Sequence, residues 1–169
     1  TRIPITEVKI YSGISKILYS KFEINKIDFR IKKFKIKDIQ KIAIRIKPSN
    51  FKTYLINNLS EGEVEKALID LNFDKDFKLI DYTAKGSIKK VNAKIKNNFK
   101  ITNIGFNFIV DSNLILVNSI SAIYEGIQVS NGSIDLQKKK EDIEIKGKFN
   151  TQLGLKKTKL NKVLKKLKI

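Results

Sequence analysis

The chain has 169 residues, enough for one domain with a real core or for a slice of a larger protein, and it carries a net charge of +18. It has no Cys and no His, which removes disulfides, thiolate metal sites and imidazole acid–base chemistry from consideration. Of its 35 basic residues only Arg2, Arg30 and Arg45 are arginine, and the lysines are spread over most of the chain, so the basicity argues against a dedicated nucleic-acid reader.

Along most of the sequence apolar and charged residues alternate one by one, as in Ile27-Asp28-Phe29-Arg30-Ile31 and Ile143-Glu144-Ile145-Lys146. Successive side chains on a strand point to opposite faces, so this pattern predicts a sheet with one apolar and one solvated face. Isoleucine dominates the apolar positions, and with phenylalanine it suits a pleated, half-buried surface. In chain order, strands are expected near Ile3–Ile10, Ile14–Phe22, Ile24–Lys32 and Phe34–Ile46. After Pro48-Ser49-Asn50 the period changes. Phe51, Tyr54, Leu55 and Leu59 are spaced for a short helix at about 50–60, capped by Ser49 or Asn50 and ended by Glu61-Gly62. Val64, Ala67, Ile69, Leu71 and Phe73 resume the sheet.

A meander follows, with strands near Ile80–Ser87, Ile88–Lys96, Ile101–Val110, Leu114–Tyr124, Ile127–Ser130, Ser133–Lys138 and Ile143–Asn150. Asp111-Ser112-Asn113 and Asn131-Gly132 read as its clearest turns, the second as a hairpin, and Glu125-Gly126 as a break or bulge. Short turns imply antiparallel neighbours. At the end, Leu160, Val163, Leu164 and Leu167 fall at i, i+3, i+4 and i+7 among lysines, predicting a basic amphipathic helix at about 155–168 that caps the sheet or rests on a membrane surface. The chain starts and stops inside such patterns, so it reads as a piece of a longer protein whose targeting signals or anchor lie elsewhere.

Nothing in the sequence suggests catalysis, and no metal or cofactor is expected. Asp70, Asn72 and Asp74 alternate with Ile69, Leu71 and Phe73, which places them on the wet face of a strand; Lys75 stands where a calcium loop would need glycine. The apolar positions carry more. Ile27, Phe29, Ile31, Phe34 and Ile36 make one candidate face, and Ile104, Phe106, Phe108 and Val110 with Leu114 and Leu116 make another. Two such faces could bury each other in a closed sandwich of structural or adhesive type. Alternatively, a curved sheet could leave its apolar face open for acyl chains. A third reading, binding of anionic polymers through the lysines, would show steep salt dependence.

Three stretches stand out. They are a leucine-rich segment, Phe51–Leu59, followed by Gly62-Glu63-Val64; the strand pair around Val91, Ala93, Ile95 and Ile104, Phe106, Phe108; and lone glycines between apolar strands at Gly126, Gly132 and Gly147. In these the chain from Phe51 onward resembles the AsmA-like superfamily of Gram-negative envelope proteins, most closely its YhdP-type branch and less closely TamB. The resemblance implies that residues 48–169 form an AsmA-like β domain, with residues 1–47 as upstream strands of the same sheet. It implies an elongated, curved antiparallel β-groove with one short internal helix and a C-terminal amphipathic helix. It further implies a periplasmic location, tethering to the inner membrane, flanking β repeats of the same polypeptide, and conduction of phospholipids toward the outer membrane. No catalytic residues come with it.

Overall fold

The computed structural model describes residues 3–13, 23–44, 53, 56–95, 99–139 and 142–152. Their architecture is mainly β: one open, curved antiparallel sheet of nine strands. The elements run β1 (Ile5–Ser12), β2 (Ile24–Lys35), α1 (Ile36–Ala43), β3 (Leu59–Ser60), β4 (Glu63–Phe73), β5 (Leu79–Ile95), β6 (Phe99–Asp111), β7 (Leu114–Tyr124), β8 (Ile127–Lys139) and β9 (Asp142–Gln152). The strand order is β1-β2-β4-β5-β6-β7-β8-β9, with the short β3 paired to β5. Almost every strand therefore lies beside its sequence neighbour, as tight turns require. The expected strand at Ile14–Phe22 and the expected helix at 155–168, with Leu160, Val163, Leu164 and Leu167, fall outside the described residues. Of the expected helix at 50–60, Thr53 and residues 56–58 are helical.

Where the strand Phe34–Ile46 was expected, β2 ends at Lys35 and α1 begins. The period-two run at Ile42-Ala43-Ile44 concealed a helical spacing of Ile36, Ile39 and Ala43. Asp38 in the first turn and Lys41 in the last suit the helix dipole and pair with each other at 3.3 Å. The chain enters the helix anchored, the Ile36 N–H donating to the Gly62 carbonyl at 3.0 Å.

Two of the expected breaks exchange roles. Asn131-Gly132 is no hairpin: β8 runs straight through it, with a register shift against β9 between Ser130 and Ser133. The hairpin is at Glu125-Gly126, whose φ angles of 49° and 78° are both left-handed, as a two-residue type I′ turn requires. A turn there lets all of β7 pair, from Leu114↔Gln137 to Tyr124↔Ile127. A turn at residues 131–132 would have left the far half of β7 without this partner.

Each of β5 to β8 carries one left-handed residue, Lys90, Asn103, Ser119 and Asn131, with φ between 51° and 56°, at a shift in cross-strand register. These are β-bulges, each an extra residue that lets the strand change phase. In sequence every one is a pair of polar residues between apolar or small ones: Ile88-Lys89-Lys90-Val91, Ile101-Thr102-Asn103-Ile104, Val117-Asn118-Ser119-Ile120 and Val129-Ser130-Asn131-Gly132. Val64-Glu65-Lys66-Ala67 repeats the pattern in β4, with a register shift against β5 between Val64 and Lys66. The phase change keeps apolar residues on one face along the whole length of long strands. Bulges bend strands and sharpen their twist, so a row of them curves the sheet.

Candidate functional site

Directly opposed residues of neighbouring strands share a face, so the register assigns the two faces of the sheet. Ile27 and Phe29 of β2 lie opposite Ile10 and Val8 on one side and Leu71 and Ile69 on the other. The same face continues through Ala84, Gly86 and Ile88 to Val110, Phe108 and Phe106, with Ile104 opposite Val91. Beyond them it takes in Ile115 and Val117, then Leu136 and Ile134, and finally Ile145 and Gly147 on β9. The two candidate faces of the sequence are thus one.

Leu114 and Leu116 do not belong to it. The turn at Asp111–Asn113, held by Asp111 Oδ1 accepting from the Asn113 and Leu114 N–H groups at 2.8 Å, pairs Val110 with Ile115. That register turns Leu114 and Leu116 to the opposite side, with Leu116 facing Ile109 and Asp135. Ile115 and Val117 take the places expected of them.

The apolar face has a covered end and an open end. At the covered end α1 seats Ile36 among Ile31, Val64, Ala67 and Val91, all buried, with Phe34, Ile39, Leu59, Ile69, Ile88 and Ile104 packed around them. Gln40 fixes the helix by donating from Nε2 to the Leu59 carbonyl at 2.8 Å. Ile31, Phe34, Ile36 and Ile104, expected to line a groove, are therefore parts of a closed core. At the open end the described residues place no second β layer. Val8, Ile10, Ile115, Ile145 and Phe149 remain 49%, 56%, 39%, 66% and 52% exposed. Ile27, Phe29, Phe106, Phe108 and Val110 are half-buried between these flanks.

Across β2, β4 and β5 the other face is laced with short ion pairs: Lys33–Glu63 at 2.8 Å, Lys89–Glu65 at 2.7 Å and Lys26–Asp28 at 2.8 Å. The Lys26 ammonium beside Asp28 holds its carboxyl below the usual carboxylate range, helped by the Tyr11 hydroxyl. A depressed carboxylate adds stability above its unfolded pKa of about 3.9 and loses it as pH falls through the folded value. We expect edge strand β1, which Tyr11 joins to this pair, to loosen below about pH 4. In Asp28→Asn that acid step should be smaller, read as amide exchange of β1 against pH. Identical acid profiles in the two proteins would contradict the assignment.

Comparison with family models, with curated proteins and with solved structures finds no match for this chain. The geometry itself is the guide to function. Among the described residues no His, Cys, Asp and Glu gather in a metal-holding group, and no helix is long and apolar enough to cross a membrane.

Proposed function

We propose that the open end of the apolar face binds the acyl chains of phospholipids, in an AsmA-like protein of the periplasm tethered to the inner membrane by a segment outside this sequence. One observation carries the reading. Among the described residues, an apolar face that spans the sheet from β1 to β9 is covered by protein only where α1 lies on it. Apolar surface left uncovered on this scale calls for a partner, and an acyl chain contributes roughly 0.8 kcal/mol for each CH₂ it buries there. The surface offers no chemistry to fix one chain in place, so the mechanism is passive. Chains slide along isoleucine and phenylalanine while headgroups stay in water near the lysines. Flanking β repeats would extend the same face toward the outer membrane.

The test is native mass spectrometry of protein stripped of lipid and reloaded with phosphatidylethanolamine or phosphatidylglycerol. The wild-type protein should carry phospholipid. Replacing the exposed Ile10, Ile115 and Ile145 by serine should weaken loading by roughly tenfold or more while leaving the β signal in circular dichroism intact. A wild-type monomer that never takes up lipid, or a dimer that hides the face and excludes lipid, would sink the proposal.

A further inference from the structure

On the polar face, a recess of about 380 Å³ is lined by Lys35 at the end of β2, Lys37 in the first turn of α1, Lys90 at the bulge of β5, Glu61 and Gly62 from the turn between β3 and β4, and Glu63 at the start of β4. Its charges are not balanced locally. Glu63 is engaged by Lys33 at 2.8 Å, and Glu61 accepts a hydrogen bond from the Asn92 side chain. Neighbouring Glu65 is taken by Lys89 at 2.7 Å. Lys35, Lys37 and Lys90 have no carboxylate partner among the described residues, and all three are exposed at the rim of one hollow. Elsewhere on this face Lys26 pairs with Asp28 and Lys89 with Glu65.

Three ammonium groups from three different elements, held around a hollow whose own carboxylates are occupied, make a site for an anion with several acceptor oxygens. We propose that this recess binds a phosphoryl group, with the three lysines as its donors. Lysine is a point charge with rotatable donors, suited to a tetrahedral oxyanion approached from several sides. The backbone holds the hollow in place. Gly62 has φ of 87°, and a Cβ there would lie 2.5 Å from the Val91 side chain, so the turn stays packed against β5. The site is independent of lipid binding on the opposite face. Its phosphoryl group could belong to a soluble phosphate or to a lipid headgroup.

Inorganic phosphate titrated into the protein at constant ionic strength, followed by amide chemical shifts, separates a site from diffuse attraction. Shifts should saturate at residues 35–37, 61–63 and 90. The triple variant Lys35→Gln/Lys37→Gln/Lys90→Asn, in which asparagine suits the left-handed backbone at position 90, should weaken binding by roughly tenfold or more. A control triple, Lys78→Gln/Lys94→Gln/Lys100→Gln, removes the same charge from exposed positions elsewhere and should bind like the wild type. Equal losses in the two triples, or shifts that never saturate, would overturn the proposal. Flotation with phosphatidylglycerol and phosphatidylcholine vesicles assigns the source. Capture by the anionic vesicles that the site triple loses and the control keeps identifies a headgroup, whereas saturable phosphate binding without capture identifies a soluble phosphate.

Discussion

Ile36→Ala is expected to destabilise the protein by about 2–5 kcal/mol, the range for truncating a fully enclosed aliphatic side chain. Ile36 is 2% exposed and is the point where α1 meets both β2 and β4. Its loss leaves a void bounded by Ile31, Val64, Ala67 and Val91, none of which can move far without breaking strand pairing. With so few buried residues in the described sheet, this cluster carries an unusual share of the stability, and native domains hold only about 5–15 kcal/mol in all. Ile10→Ala, at 56% exposure on the same face, should cost about 0.5 kcal/mol or less. Urea unfolding of the two variants makes the comparison. Similar losses would mean that the face is sealed along its whole length by something other than α1, and the division into covered and open ends would fall.

That division could not be read from the sequence, although the sheet itself could. β7 occupies the expected span, Leu114–Tyr124, and β4 and β6 lie close to theirs, because strict alternation and side-chain turn chemistry at Asp111 act locally. The helix α1 was hidden because Ile36, Ile39 and Ala43 fit a helix while Ile42, Ala43 and Ile44 mimic a strand. Asp38 and Lys41, placed for the dipole, were the signal that separates the two. Since α1 supplies the lid of the core, missing it turned Ile31, Phe34, Ile36 and Ile104 into groove residues. For Leu114 and Leu116 the error was one of parity. A one-residue difference in how a turn pairs its strands moves side chains to the other face, and composition carries no record of it.

The bulges were legible and went unread. Two polar residues in succession between apolar or small ones, recurring at Glu65-Lys66, Lys89-Lys90, Thr102-Asn103, Asn118-Ser119 and Ser130-Asn131, look like strand ends to a period-two reading. That reading split β5 at Ser87 and Ile88 and β8 at Asn131. Alternation resumes on the same face after each pair, which a true turn does not require. Asn131 does take the positive φ expected of it, but Gly132 serves a different purpose. A Cβ there would lie 2.7 Å from the Phe149 ring and 3.0 Å from Ile120. The glycine is there to admit an aromatic ring, not to reverse the chain.

The same arrangement at Gly86 gives the second large effect. Alanine in place of glycine within a strand normally gains roughly 0.5–1 kcal/mol by restricting the unfolded chain. At Gly86 the added Cβ would stand 2.4 Å from the Lys66 carbonyl oxygen and 2.9 Å from Cζ of Phe108. A ring can tilt, but the carbonyl belongs to the β4–β5 ladder and cannot retreat without opening Ala67↔Gly86 and its neighbours. The clash should win: Gly86→Ala is expected to lower stability by about 2–3 kcal/mol, and Gly86→Val by more. Gly147 is the control, since its Cβ would meet nothing closer than 3.3 Å and alanine should be tolerated. The double variant Gly86→Ala/Phe108→Ala apportions the clash. A coupling of the two losses near zero would place it on the carbonyl, whereas recovery from the second substitution would place it on the ring. A neutral or stabilising Gly86→Ala would mean that β4 and β5 do not approach this closely, and with them the continuity of the apolar face at its centre would fail.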